Sequence, residues 1–157
     1  MRFYTLEWWT GTQGGEPPDP KSLFDAYDAH LREIEARVPQ GLVALVRRGP
    51  LHDGKLRSWR MDVERRTFVV ELTAYEVNGE HVSITMSYGA VRSVMSIADP
   101  KVGLMGPYGY GDIGYTEIHL VDGVPEHWIL FSSGIEVRVS FESFEERTTS
   151  LDRKGAG

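Results

Sequence analysis

The apolar residues of this chain follow two rhythms, and the switch between them divides it in two. In the first part Leu23, Tyr27, Leu31, Ile34 and Val38 recur every three or four positions with Phe24 beside them. That spacing is one stripe of an α-helix, with Asp25, Asp28, Arg32, Glu33 and Glu35 on its outer side. Asp19 and Pro20 start it, because an Asp side chain accepts bonds from free helix amides and Pro fits the first helical position. Pro39 stops it. The next stretch, PQGLVALVRRGP, reads as a second short helix ending at Gly49, with a strand as the alternative; Arg47 and Arg48 near the negative end of a dipole favour the helix.

After Gly54 the period becomes two. Residues 56–61 alternate, and Phe68, Val70, Leu72 and Ala74 face one way in RTFVVELTAYEV. Asn78–Gly79 between alternating runs predicts a hairpin of 71–77 with 80–88, whose returning strand buries Val82, Ile84, Met86 and Tyr88. VRSVMSI, TEIHLV, EHWILFS and IEVRVSFESF supply further strands, the last three joined by Asp122–Gly123 and Ser133–Gly134 turns. The aromatic segment MRFYTLEWW predicts a strand or an extended stretch laid on the core, and TGTQGGEPPDP a loop. Taken together these patterns predict an α+β domain over residues 1–150. One or two N-terminal helices pack on a curled antiparallel sheet of about seven strands, barrel-like or sandwich, with 151–157 a disordered tail.

Composition narrows the setting. A chain of 157 residues with 41% hydrophobic and 25% charged residues makes one globular domain without staples. It has no cysteine, which removes disulfides, zinc ribbons and thiol nucleophiles and suits a reducing cytoplasm. No run approaches the roughly 18 apolar residues of a bilayer span, and the first residues lack a signal-peptide layout, so a soluble intracellular protein is expected. The net charge of −6 disfavours phosphate backbones and suits a basic protein partner. Neither nucleic acid nor membrane is an expected partner.

Candidate chemistry centres on LHDGKL. His52 and Asp53, with Glu117 and His119 two apart on a strand, are residue types that hold a metal or run general-base chemistry. No HExxH-like spacing joins them, and Asp53–Gly54 is turn chemistry, so a structural corner is the preferred reading and no metal or cofactor is expected. Glu126 and His127 are of the same types. Ser132–Ser133–Gly134 lacks a nucleophile elbow and reads as a turn. The Gly- and Tyr-rich stretch 99–115 matches no phosphate loop, but Tyr108, Tyr110, Asp112 and Tyr115 are the composition of a binding loop. Trp8, Trp9, Trp59 and Trp128 read as core.

The opening MRFYTLEWW, the LHDGKL corner and the closing EIHLV…HWILFSSGIEVRVSF resemble a group of uncharacterised bacterial domains of unknown function. The resemblance implies a bacterial origin and a small α+β fold, carries over no catalytic residues, and raises a likeness to immunity proteins. Two functions remain open. The favoured one is a non-catalytic interaction protein, an immunity-type inhibitor of a basic toxin. The other is a small-ligand or metal binder, or a hydrolase, with His52, Asp53, Glu117 and His119 converging at one end of the sheet. Open sheet edges also predict a homodimer.

Overall fold

The computed structural model describes residues 1–11, 16, 18–49, 51–76, 78–98 and 110–151. Helix α1 spans Leu6–Thr10, α2 Pro20–Ile34 and α3 Gln40–Arg48. Asp19 caps α2 as its sequence position demands, its carboxylate accepting from the Ser22 N–H at 3.1 Å. The helical reading of 39–48 also holds, with Gly49 turning left-handed at φ 79° to end α3. The aromatic N-terminus, expected as a strand or an extended stretch laid on the core, forms no strand and turns helical from Leu6. Thr5 accepts the Trp8 N–H on its hydroxyl and Gly11 closes the C-terminus at φ 68°, so a one-turn helix forms between a cap and a stop.

Eight strands follow: β1 (Lys55–Asp62), β2 (Thr67–Tyr75), β3 (His81–Gly89), β4 (Ser93–Ala98), β5 (Ile113–Val121), β6 (Val124–Phe131), β7 (Ile135–Ser140) and β8 (Ser143–Ser150). They form two antiparallel four-stranded sheets, ordered β1-β2-β3-β8 and β4-β7-β6-β5. The α+β expectation holds, with eight strands in two sheets where about seven in one curled sheet, barrel-like or sandwich, were expected, and the barrel form is corrected. The run 135–144 bends at Phe141 and Glu142, and β8 emerges from residues whose Glu, Arg and Thr content hid the strand. Of the expected tail, Leu151 donates its N–H to the His81 carbonyl at 2.8 Å, and 152–157 lie outside the described residues.

β3 runs into β4 and β7 into β8, so the two sheets share one bent ribbon. Its register passes from Ala98↔Ile135 to Ser93↔Ser140 on one side of the bend and from Gly89↔Ser143 to Val82↔Ser150 on the other. Strands that switch sheets need a local break. Here Ala90 takes φ 49°, and Arg66 donates side-chain bonds to the carbonyls of Ala90 and Val91 at 3.3 Å. A side chain on Gly89 would meet the Ser143 hydroxyl at 2.3 Å, so a larger residue there has to turn that hydroxyl aside. The far edges, β1 and β5, meet only through the Lys55↔Asp112 bridge among the described residues, and the barrel does not close.

The core lies between the sheets. Phe68, Val70, Leu72, Ile84 and Met86 from one meet Ile118, Ile129, Phe131, Val137 and Val139 from the other, and Leu42 and Leu45 of α3 fill the side. The first sheet alternates buried and half-buried along β2 and β3, one face wet. β5 and β6 do not alternate, because their outer face is covered too.

Within this core His127 is wholly buried. Its Nδ1 shares a 2.7 Å hydrogen bond with the Tyr88 hydroxyl, and its Nε2 has no partner among the described residues. Burial brings the imidazole down to a pKa of about 3 and pushes the Tyr88 phenol up, so both are neutral. Because the folded imidazole titrates below its unfolded value, the unfolded chain takes the proton first, and stability falls as pH drops from about 6.5 toward 3. The double variant Tyr88→Phe, His127→Leu removes donor and acceptor together. It is expected to flatten stability in that window by up to about 1.4 kcal/mol per pH unit. Urea unfolding at about pH 7 and about pH 5 measures this, and a slope equal to that of the parent would refute it.

Candidate functional site

The outer face of the second sheet is built around Glu117, fully buried on β5. One carboxylate oxygen accepts the N–H groups of Phe3 at 2.8 Å and Tyr4 at 2.7 Å. The other accepts the Arg2 N–H at 2.8 Å and the His119 Nε2–H at 2.7 Å. Two bonds on each oxygen fill the lone pairs of a carboxylate. Burial pushes the Glu117 pKa up, but the His119 bond and the three amides outweigh it and hold it below the usual carboxylate range.

His119 sits between rings, 4.1 Å from Trp128 and 5.0 Å from His30 by centroid. α2 seals the same edge. Tyr27 accepts the Ile118 N–H on its hydroxyl at 2.9 Å, and the His30 Nε2–H reaches the Ile118 carbonyl at 3.1 Å. Burial in turn lowers the His30 pKa.

The His52–Asp53 corner lies elsewhere. Asp53 takes φ 62° and donates its N–H to the Ile113 carbonyl at 2.8 Å, while Ile113 returns a bond to Gly54 at 2.8 Å. A side chain on Gly54 would meet the Leu51 carbonyl oxygen at 2.8 Å, so the turn needs glycine. His52 Nδ1 stands 3.2 Å from the Asp53 carboxylate, and both side chains are exposed. Glu117 with His119 and His52 with Asp53 thus form two pairs; no hydrogen bond or ion pair joins them among the described residues. No three His, Asp or Glu side chains among the described residues gather as a metal site requires. Glu126 and His127 also part company, Glu126 accepting from Trp128 Nε1 at 2.6 Å on the outer face and His127 pointing into the core. Ser132 occupies a turn, its hydroxyl accepting the Asp112 N–H at 2.9 Å.

Between the corner and the covered face lies an apolar cleft of about 280 Å³, lined by Tyr4, Phe24, Leu51, His52, Gly114 and Tyr115 among others. Tyr115 is its hub. Its ring lies 4.8 Å from Tyr4, 5.5 Å from Trp8, 5.6 Å from Trp9 and 5.4 Å from His52. The Trp9 ring lies so close over Gly114 that a Cβ there would stand 2.3 Å from it. Phe24 remains 46% exposed.

Of the expected binding residues Tyr115 lines this cleft. Tyr110 packs instead on Trp59 at 4.8 Å and Phe131 at 5.2 Å, Asp112 bridges to Lys55, and Tyr108 lies outside the described residues. The four tryptophans are half-buried, and Trp59 alone of them packs on the core between the sheets. Phe24 and Tyr4 were not singled out as site residues by sequence. Phe24 gave a signal, as an aromatic beside the helical stripe instead of on it.

No helix among the described residues is long and apolar enough to cross a membrane. No family model and no curated protein matches the chain. A crystal structure of an uncharacterised protein from Neisseria gonorrhoeae superposes with a TM-score of 0.41 at 14% identity, over 61% of this chain and 91% of that one.

Replacing Glu117 with Gln turns two acceptor positions into donors facing donors. The Glu117→Gln variant is expected to lose about 2–4 kcal/mol at neutral pH. A depressed folded pKa stabilises above the unfolded value and is lost as pH falls through the folded one, so the gap between parent and variant should narrow below about 4.5. Denaturant unfolding across that range measures it, and a constant gap would contradict the assignment.

Proposed function

We propose that this protein is a non-catalytic interaction domain of the immunity type. It would bind a basic protein partner by taking an apolar or aromatic side chain into the Tyr115 cleft. The cleft carries this reading. Aromatic and aliphatic side chains together make up most of its lining, and no carboxylate lines it. Clusters of Trp and Tyr around one buried point are the composition of interface anchors. The charge of −6, with Asp53 exposed beside the cleft, steers a basic partner toward it. Catalysis has weaker support, because all four acceptor positions of Glu117 are already filled by the chain itself.

Phe24→Ala removes an exposed ring without opening the core, and Asp53→Lys reverses a charge at a position already left-handed. With the protein immobilised against extract of its source organism, retained proteins should be basic and elute with salt. Phe24→Ala should weaken retention about 30-fold, equivalent to about 2 kcal/mol, and Asp53→Lys should slow association while both variants keep the parent's thermal midpoint. The same proteins retained equally by parent and Phe24→Ala, or only a small molecule recovered, would overturn the reading.

A further inference from the structure

An antiparallel sheet ends in strands whose outer N–H and C=O groups invite another strand, and folded proteins block those edges. Three of the four edges here are blocked, each differently. β1 carries Lys55, Arg57 and Arg60 and an irregular register between Leu56 and Ser58. β8 carries Glu145, Glu146 and Arg147 and lies against α3, where Arg48 reaches Glu146 at 2.6 Å. β5 has the N–H and C=O of Ile118 taken by Tyr27 and His30, and its start bridged to Lys55.

Among the described residues β4 has none of these devices. Its sequence, SVMSIA, holds no charge and no proline, and its register with β7 is unbroken. Among the described residues its only strand partner is β7. Met95 and Ile97 stand on the outer face, 43% and 41% exposed. Behind them on β7 stand Arg138 and Glu136, joined to each other at 2.6 Å, with the Met1 ammonium on the other Glu136 oxygen, so the carboxylate next to the edge is already paired.

The occupant follows from symmetry. A two-fold axis normal to a sheet keeps each face on its own side, so an antiparallel pairing of β4 with a second β4 must centre on one residue. Centring on Ser96 sets Met95 opposite Ile97 of the second copy and Ile97 opposite its Met95, covering both apolar side chains at once. Centring on Met95 leaves Ile97 against a serine, and centring on Ile97 carries Met95 past the strand end. We infer that the protein forms a homodimer through β4, the two copies meeting antiparallel about Ser96 to make one continuous eight-stranded sheet. This surface is separate from the Tyr115 cleft, so the dimer stands or falls independently of the partner reading above.

Sedimentation equilibrium on the full chain, from about 1 µM to about 1 mM to span weak specific association, should show a monomer–dimer equilibrium. Ile97→Lys and Met95→Lys should each raise the dissociation constant at least about tenfold while leaving the thermal midpoint of the dilute monomer unchanged, since both positions are exposed. The chain has no cysteine, so one introduced thiol reports the axis cleanly. Ser96→Cys brings two thiols to cross-strand distance and should yield a disulfide-linked dimer under mild oxidation, whereas Ser93→Cys should not. A monomer across the whole range, a dimer indifferent to Ile97→Lys, or cross-linking from Ser93→Cys in place of Ser96→Cys would each overturn the inference.

Discussion

A carboxylate taken wholly out of water must be met by donors on every side, and the arrangement around Glu117 follows from that demand. The sheet alone cannot supply the donors, because the neighbouring strand groups are paired within the ladder. They come from the first residues of the chain, whose three consecutive amides converge on one side chain 113 to 115 residues away. That convergence lays the N-terminal segment across β5. Tyr4 is thereby set against Tyr115, and Thr5 is placed where it starts α1 and brings Trp8 and Trp9 over the same ring. The aromatic cleft is thus a consequence of a satisfied charge, and its geometry is only as firm as the four bonds to Glu117.

How much of this could be read from residues depended on whether the signal was local. The helix over 20–34 and the hairpin register of β2 with β3 were legible because period and capping act within a few residues. The one-turn α1 was also local, in Thr5 and Gly11, but five aromatic or aliphatic residues in nine argued more loudly for an extended strand. β8 was hidden for a different reason. It is an edge strand with a wet outer face, so beyond Phe144 its charges and threonines show no apolar alternation, and only its pairing with β3 makes it a strand. The Glu117 clamp left no trace in the sequence beyond a Glu two residues before a His, since its other partners lie more than a hundred residues away.

The same logic separates the two imidazole–carboxylate pairs that sequence alone could not tell apart. Both have a ring nitrogen within hydrogen-bond reach of a carboxylate, yet their surroundings give them different work. Glu117 and His119 are enclosed, and all four acceptor positions of the carboxylate are filled by the chain's own donors. His52 and Asp53 are exposed on a turn held by backbone bonds to Ile113 and a glycine that cannot be replaced without a clash. The backbone around LHDGKL is thus that of a turn, while the His52 ring stands edge-on to Tyr115 at the mouth of the cleft.

The two sheets also differ in what their outer faces are asked to do. The first sheet keeps a wet face of Thr67, Thr73, Ser83, Thr85 and Ser87, which needs no cover. The second gives its outer face to large side chains, and these must be covered wherever they occur. Over β5 and β6 the N-terminal segment and α2 provide that cover, with Arg138 stacked 3.7 Å over Trp128 to carry it as far as β7. The cover stops one strand short of the edge. Met95 and Ile97 therefore stand exposed at one margin of that face, as Val121 does at the end of β5, so among the described residues the cover that the clamp organises encloses the middle of the sheet and leaves its margins to solvent.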